Sequence, residues 1–129
     1  MHACRERLAA SGHADLQAIG EALAPALQAY EGAVDFMVQT LPADPHAAYG
    51  AAVPYLKLAG IVLGGWQMAR AAGRAHERLQ QGDGDADFLN AKIITARFFA
   101  DHFLPQATAL CAAMLEGSVY LMALDENQF

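Results

Sequence analysis

The chain has 129 residues, 55% of them hydrophobic and 17% charged, a length and balance that suit one packed helical domain over residues 1–129 and exclude a disordered segment. Fourteen acidic against eight basic side chains give a formal charge of −6, which excludes general nucleic-acid binding, because neutralising phosphates takes clustered lysine and arginine. Cys4 and Cys111 lie far apart and outside any CxxC pair, so reduced thiols and a cytoplasmic setting are expected.

Residues 1–11 read as a short leading helix, without the apolar core of a secretory signal. Leu16, Ile19, Leu23, Leu27, Tyr30, Val34, Met37 and Leu41 then advance in steps of three and four, with Gln17, Glu21, Gln28, Asp35 and Gln39 opposite them. That is the signature of a long amphipathic helix, expected to bend or break near Pro25. "LPADPH" ends it, and Asp44-Pro45 starts the next, since aspartate caps free amides and proline suits a first turn.

The second helix is expected from about Pro45 to about Gln80, kinked at Pro54. Val53, Leu56, Gly60 and Leu63 form one apolar set and Tyr55, Val62, Trp66 and Ala69 another, so the helix should sit between neighbours. Residues 49–66 are almost wholly apolar, but Pro54 and Lys57 interrupt them and polar helix follows; a buried helix accounts for them better than a membrane span. Gly60, Gly64 and Gly65 are assigned to helix packing, with bare backbone admitting the phenylalanine-rich third helix. Arg70, Arg74 and Arg78 form a stripe read as a solvated face.

"QGDGDAD" supplies a turn capped by Asp85 or Asp87, and a third helix runs from about Ala86 to about Glu116, lined by Leu89, Ile93, Ala96, Phe99, Phe103, Leu110 and Met114 and stopped by Gly117. Residues 118–129 form a C-terminal tail that packs back through Val119, Leu121, Met122 and Leu124. No stretch alternates like a strand. The expected fold is an all-α, up-down bundle of three long kinked helices with a short N-terminal helix and a packed tail.

Chemistry is sparse. His2, His13, His46, His76 and His102 show no metal-binding spacing, and Asp83-Gly84-Asp85-Ala86-Asp87 departs from a calcium loop at Phe88 and Ile94. In "ARFFADHFLPQA", residues 96–107, Arg97 and Asp101 can pair at a helical spacing, whereas Asp101 and His102 diverge by about 100° around the axis and make no oriented couple. Pro105 should bend the helix and free the carbonyl of Asp101. There is no glycine-rich phosphate loop and no GxSxG, so no catalytic, cofactor or metal residue is assigned.

"YLKLAGIVLGGWQMARAA" (55–72), "FLNAKIITARFFADHFLPQATAL" (88–110) and "LMALDENQF" (121–129) together resemble the extreme C-terminal helical domain of bacterial acyl-CoA dehydrogenases, in the subgroup of 3-methylmercaptopropionyl-CoA dehydrogenase-like enzymes. The resemblance spans about residues 15–129. It implies that FAD, the acyl-CoA pocket and the catalytic glutamate belong to preceding domains, so neither Glu31 nor Glu116 inherits that role.

The resulting expectation is an accessory structural domain of an FAD-dependent acyl-CoA dehydrogenase. It is inactive alone and meets the enzyme's catalytic domains or a second subunit in a homodimer. Candidate interface residues are Tyr55, Val62, Trp66, Leu121 and Met122. The alternative is a free-standing helical module binding an acyl chain or other apolar ligand, with Lys57, Lys92 or Arg97 at the anionic end. A small independent enzyme is the third.

Overall fold

The computed structural model describes residues 1–117, 120, 123–124 and 126–128. The chain folds as an all-α bundle, with no strand among the described residues: α1 (His2–Ala9), α2 (Ala14–Ala43), α3 (Pro45–Gln81), α4 (Ala86–His102) and α5 (Gln106–Gly117), followed by a 3-10 turn at Glu126–Gln128. The expected third long helix is present as α4 and α5, interrupted over residues 103–105.

Local chemistry sets these boundaries. The Asp44 carboxylate accepts the amide of Ala47 at 3.1 Å, and Pro45 opens α3 where its missing N–H costs nothing. At the other end Gly82 takes a left-handed conformation (φ 66°) that a side chain would resist, and its amide satisfies the last carbonyls of α3. Asp85, of the two candidates, caps α4, accepting from Asp87 and Phe88 at 2.9 and 3.3 Å. Pro25 does not break α2, which runs unbroken through Pro25 and Pro42, as α3 does through Pro54. Each proline forfeits one helical hydrogen bond, and tertiary packing holds the helix across the gap.

The core is built from alanine as much as from leucine. Leu16, Ile19, Leu23 and Leu27 of α2 are buried as their spacing predicts, but further along the helix the buried positions are Ala29 and Ala33, while Leu41 is exposed. On α3 the buried stripe is Ala47, Ala51, Leu58, Val62, Gly65, Ala69 and Ala72. Alanine lets helices approach closely, so it occupies contact lines that hydrophobicity alone would give to larger residues. Leu104, at the break before Pro105, is buried and fills the recess that Gly65 leaves on α3. A Cβ on Gly65 would stand 2.5 Å from Leu104 Cδ2 and 3.1 Å from its Cγ.

The three glycines of α3 therefore differ. Gly65 holds the tight contact, and a Cβ on Gly64 would meet Phe99 of α4 at an ordinary 3.4 Å. Gly60, expected to share that packing face, has no side chain or backbone of another described element within 4 Å of where its Cβ would stand. Its packing assignment is corrected by geometry: at about 100° per residue, Gly60 and Leu58 lie on opposite sides of the helix. Gly60→Ala should accordingly raise stability by up to about 1 kcal/mol through helix propensity, read as a higher melting temperature.

Candidate functional site

Among the described residues the core contains no buried polar or charged residue, and no group of three or more His, Cys, Asp and Glu side chains could hold a metal ion. The polar cluster of residues 97–102 is held by ion pairs and a ring contact. Arg97 Nε donates to Asp101 at 2.8 Å, and its Nη1 reaches Asp15 on α2 at 3.3 Å, a cross-helix partner that local spacing does not reveal. His102 lies against the ring of Phe98, centroids 4.3 Å apart, at the exposed edge of α4. Asp101→Ala should cost no more than about 1 kcal/mol of stability, as exposed ion pairs do, and His102→Ala less. Chemical denaturation of both variants checks this; a loss above about 3 kcal/mol would give the cluster a larger role.

Burial raises the Cys111 thiol above its ordinary pKa, and both cysteines are free and buried. Burial also raises the Tyr55 phenol, with the hydrogen bond and charge of Tyr30 adding to it; the two rings stack at 6.4 Å. The raised values keep the Cys111 thiol and the Tyr55 phenol protonated at neutral pH, as burial among apolar neighbours dictates.

The feature that stands out is on the surface. Tyr49, Val53, Leu56, Gly60 and Leu63 recur at steps of four, three, four and three along α3, opposite its alanine-lined core stripe. All are exposed, Tyr49 by 69%, Val53 by 63%, Leu56 by 73% and Leu63 by 40%. The sequence places this set between neighbours; in the fold, α2, α4 and α5 leave it uncovered. One flank drops into a groove of about 490 Å³ against α4 and α5, lined by Leu56, Lys57, Gly60, Phe99, Phe103 and Leu110. An uncovered apolar stripe of this kind is a mark of a docking surface.

The sequence-based interface residues land elsewhere. Val62 is fully buried and belongs to the core, because it lies on the side of α3 that packs into the bundle. Tyr55 and Trp66 are half-buried and pack against the core. Leu121 and Met122 lie outside the described residues.

Comparison with known proteins places the chain in a family. The family model described as "Acetyl-CoA dehydrogenase C-terminal like" matches residues 1–125. The chain belongs to this acyl-CoA dehydrogenase C-terminal family. A 3-methylmercaptopropionyl-CoA dehydrogenase of Ruegeria pomeroyi (strain ATCC 700808 / DSM 15171 / DSS-3) is 39% identical over 109 residues, which is 84% of this chain. The match falls in the C-terminal part of that enzyme and amounts to 18% of its length. The stripe on α3 is thus a property of a C-terminal domain whose relative carries more than four-fifths of its chain elsewhere.

Among the cations that could meet an anionic ligand, Lys57 borders the groove beside the α3 stripe. Lys92 lies 5.0 Å over the ring of Phe88, and Arg97 is taken up by Asp15 and Asp101.

Proposed function

We propose that this chain is the accessory C-terminal domain of a cytoplasmic, FAD-dependent acyl-CoA dehydrogenase of the 3-methylmercaptopropionyl-CoA dehydrogenase-like subgroup, contributing structure and contact rather than chemistry. The observation that carries the reading is the uncovered apolar stripe Tyr49–Val53–Leu56–Leu63 on a domain matching under a fifth of its relative. Flavin, acyl-CoA pocket and proton-abstracting base belong, on this reading, to the catalytic domains, and the bundle holds them or their subunit interface in place. Free buried thiols support the cytoplasmic assignment.

By length and composition α3 could also cross a membrane, with a mean hydropathy of 1.3 over its most apolar window. Its other face is the bundle's own contact line with α2, α4 and α5, which favours a soluble domain with one sticky side.

The purified chain should be colourless after incubation with excess FAD and should give no acyl-CoA-dependent dye reduction. Stoichiometric flavin absorption would overturn the assignment of the cofactor to another part of the enzyme. A second reading, an acyl chain lying in the groove with Lys57 at its anionic end, is favoured by that groove's apolar lining. Native mass spectrometry separates the two: a retained acyl ligand supports the second, an empty chain the first.

A further inference from the structure

We propose that the outer stripe of α3 seats one amphipathic helix from the flavin-bearing part of the enzyme, apolar along most of its contact edge and carrying carboxylates at one end. This rests on the accessory-domain reading and adds the face and the chemistry of the partner.

The stripe does not stop at Leu63. It continues to Gln67, Arg70 and Arg74 in steps of four, three and four, so the same face turns from apolar to basic. Arg7 of α1 joins it, lining with Gln67, Arg70 and Arg74 a depression of about 500 Å³. Of the acidic side chains among the described residues, Glu77 alone lines this depression, where it pairs with Arg74 at 2.9 Å. Arg70 donates to the neutral amide of Gln67 at 3.0 Å and lies 5.1 Å over Trp66, and no carboxylate of the described residues pairs with it or with Arg7. Three guanidiniums gathered from two helices with one carboxylate between them are matched by an acidic partner.

A sustained three-and-four spacing is the geometry of helix-on-helix contact. From Tyr49 to Arg74 it extends about 38 Å, at ~1.5 Å per residue. Gly60 leaves a hole in the middle of the row, between Leu56 and Leu63, into which a knob from the partner fits. The partner's carboxylates then lie roughly 15–20 Å along its axis from that knob, the rise between Gly60 and Arg70–Arg74.

Charge argues against a second copy of this chain. A parallel α3 would set arginine on arginine, and an antiparallel one would set Arg70 and Arg74 on the Tyr49–Val53 end. A lipid surface is a poorer match as well, because a glycine at the centre of the row removes the apolar side chain that insertion would use.

Hydroxyl-radical footprinting of the full enzyme containing this domain, against the 129-residue chain alone, tests the proposal. Tyr49, Leu56 and Leu63 should lose at least tenfold in reactivity in the full enzyme. Gly60→Leu, which fills the hole, and the pair Arg70→Glu with Arg74→Glu should each restore reactivity to within about twofold of the free chain. In the chain alone Gly60→Leu should leave the melting temperature unchanged or raise it, the arginine reversals should lower it only by the few degrees that losing the exposed Arg74–Glu77 pair and the Arg70–Trp66 contact costs, and Lys92→Glu should leave the footprint as it was. A seam equally reactive in both proteins, or protected yet indifferent to the arginine reversals, would overturn the proposal. So would concentration-dependent protection in the chain alone, which means a second copy, or protection appearing only with anionic phospholipid vesicles. Protection confined to another face, such as Ile94 and Phe98, sinks this seam and leaves the accessory reading standing. A full enzyme in which no side chain of the domain is protected sinks both.

Discussion

Gly65→Leu should lower the stability of the chain by 3 kcal/mol or more, on the order of 10 °C in melting temperature, and Leu104→Ala should restore part of that loss when added to it. Even an alanine Cβ at this position would overlap Leu104 Cδ2 at 2.5 Å and crowd its Cγ at 3.1 Å, so Leu104 must shift to admit it, and a leucine asks for a larger shift. Leu104 is 2% exposed, and its backbone is fixed in the turn where Gln106 and Ala107 donate to the carbonyls of Phe103 and Leu104. Helix propensity returns at most about 1 kcal/mol for replacing glycine. Leu104→Ala alone should cost about 2–5 kcal/mol through the cavity it leaves. The four proteins form a double-mutant cycle, and two residues in contact should show a coupling of roughly 0.5–3 kcal/mol. Additive losses would mean that the break at Pro105 does not serve to seat Leu104 against Gly65.

Leu56→Asp should have little effect on the isolated chain and a large one on the enzyme that contains it. Leu56 is 73% exposed, so exchanging it in the free domain should change stability by no more than about 0.5 kcal/mol. In the docked state the same carboxylate would be buried against apolar side chains without a cation, a penalty of about 3–5 kcal/mol on top of a lost central contact. The full enzyme should therefore release the domain, with at least a hundredfold gain in proteolytic cleavage of the connection to it at unchanged melting of the domain itself. Equal cleavage of both enzymes would place Leu56 outside the contact.

The helices and their ends were legible because they follow from local chemistry. Asp44-Pro45, Asp85 and the stop near Gly82 act within one turn of the residues they cap, and Leu16 to Leu27 carry their periodicity openly. A bend at Pro105 is legible for the same reason, although the chain goes further there and divides into α4 and α5. What α3 buries was not legible. Two apolar sets share that helix: Val53, Leu56 and Leu63 of one are left outside, while the other sinks Val62 and Ala69 into the core and half-buries Tyr55 and Trp66. Alanine reads as weakly hydrophobic in a sequence, yet Ala47, Ala51, Ala69 and Ala72 make the close contact, and only the arrangement of neighbours reveals it. The exposure of this stripe was hidden with it, although its three-and-four spacing from Tyr49 onward was a signal. The glycines show the same limit: Gly60 and Gly64 share a spacing motif, but a few tens of degrees around the axis separate a residue facing Phe99 from one facing solvent. Local spacing reveals the pairing of Arg97 with Asp101, while Asp15 lies 82 positions away and no local rule reaches it.

The most direct test of the accessory-domain account is to coexpress this chain, affinity-tagged, with the flavin-bearing portion of an acyl-CoA dehydrogenase of its subgroup and to measure the flavin that copurifies. The account predicts a yellow complex with one flavin-bearing polypeptide per chain, lost on Leu56→Asp. A tagged chain that emerges alone and colourless, beside a flavin-bearing portion that is stable and fully active without it, would contradict the account.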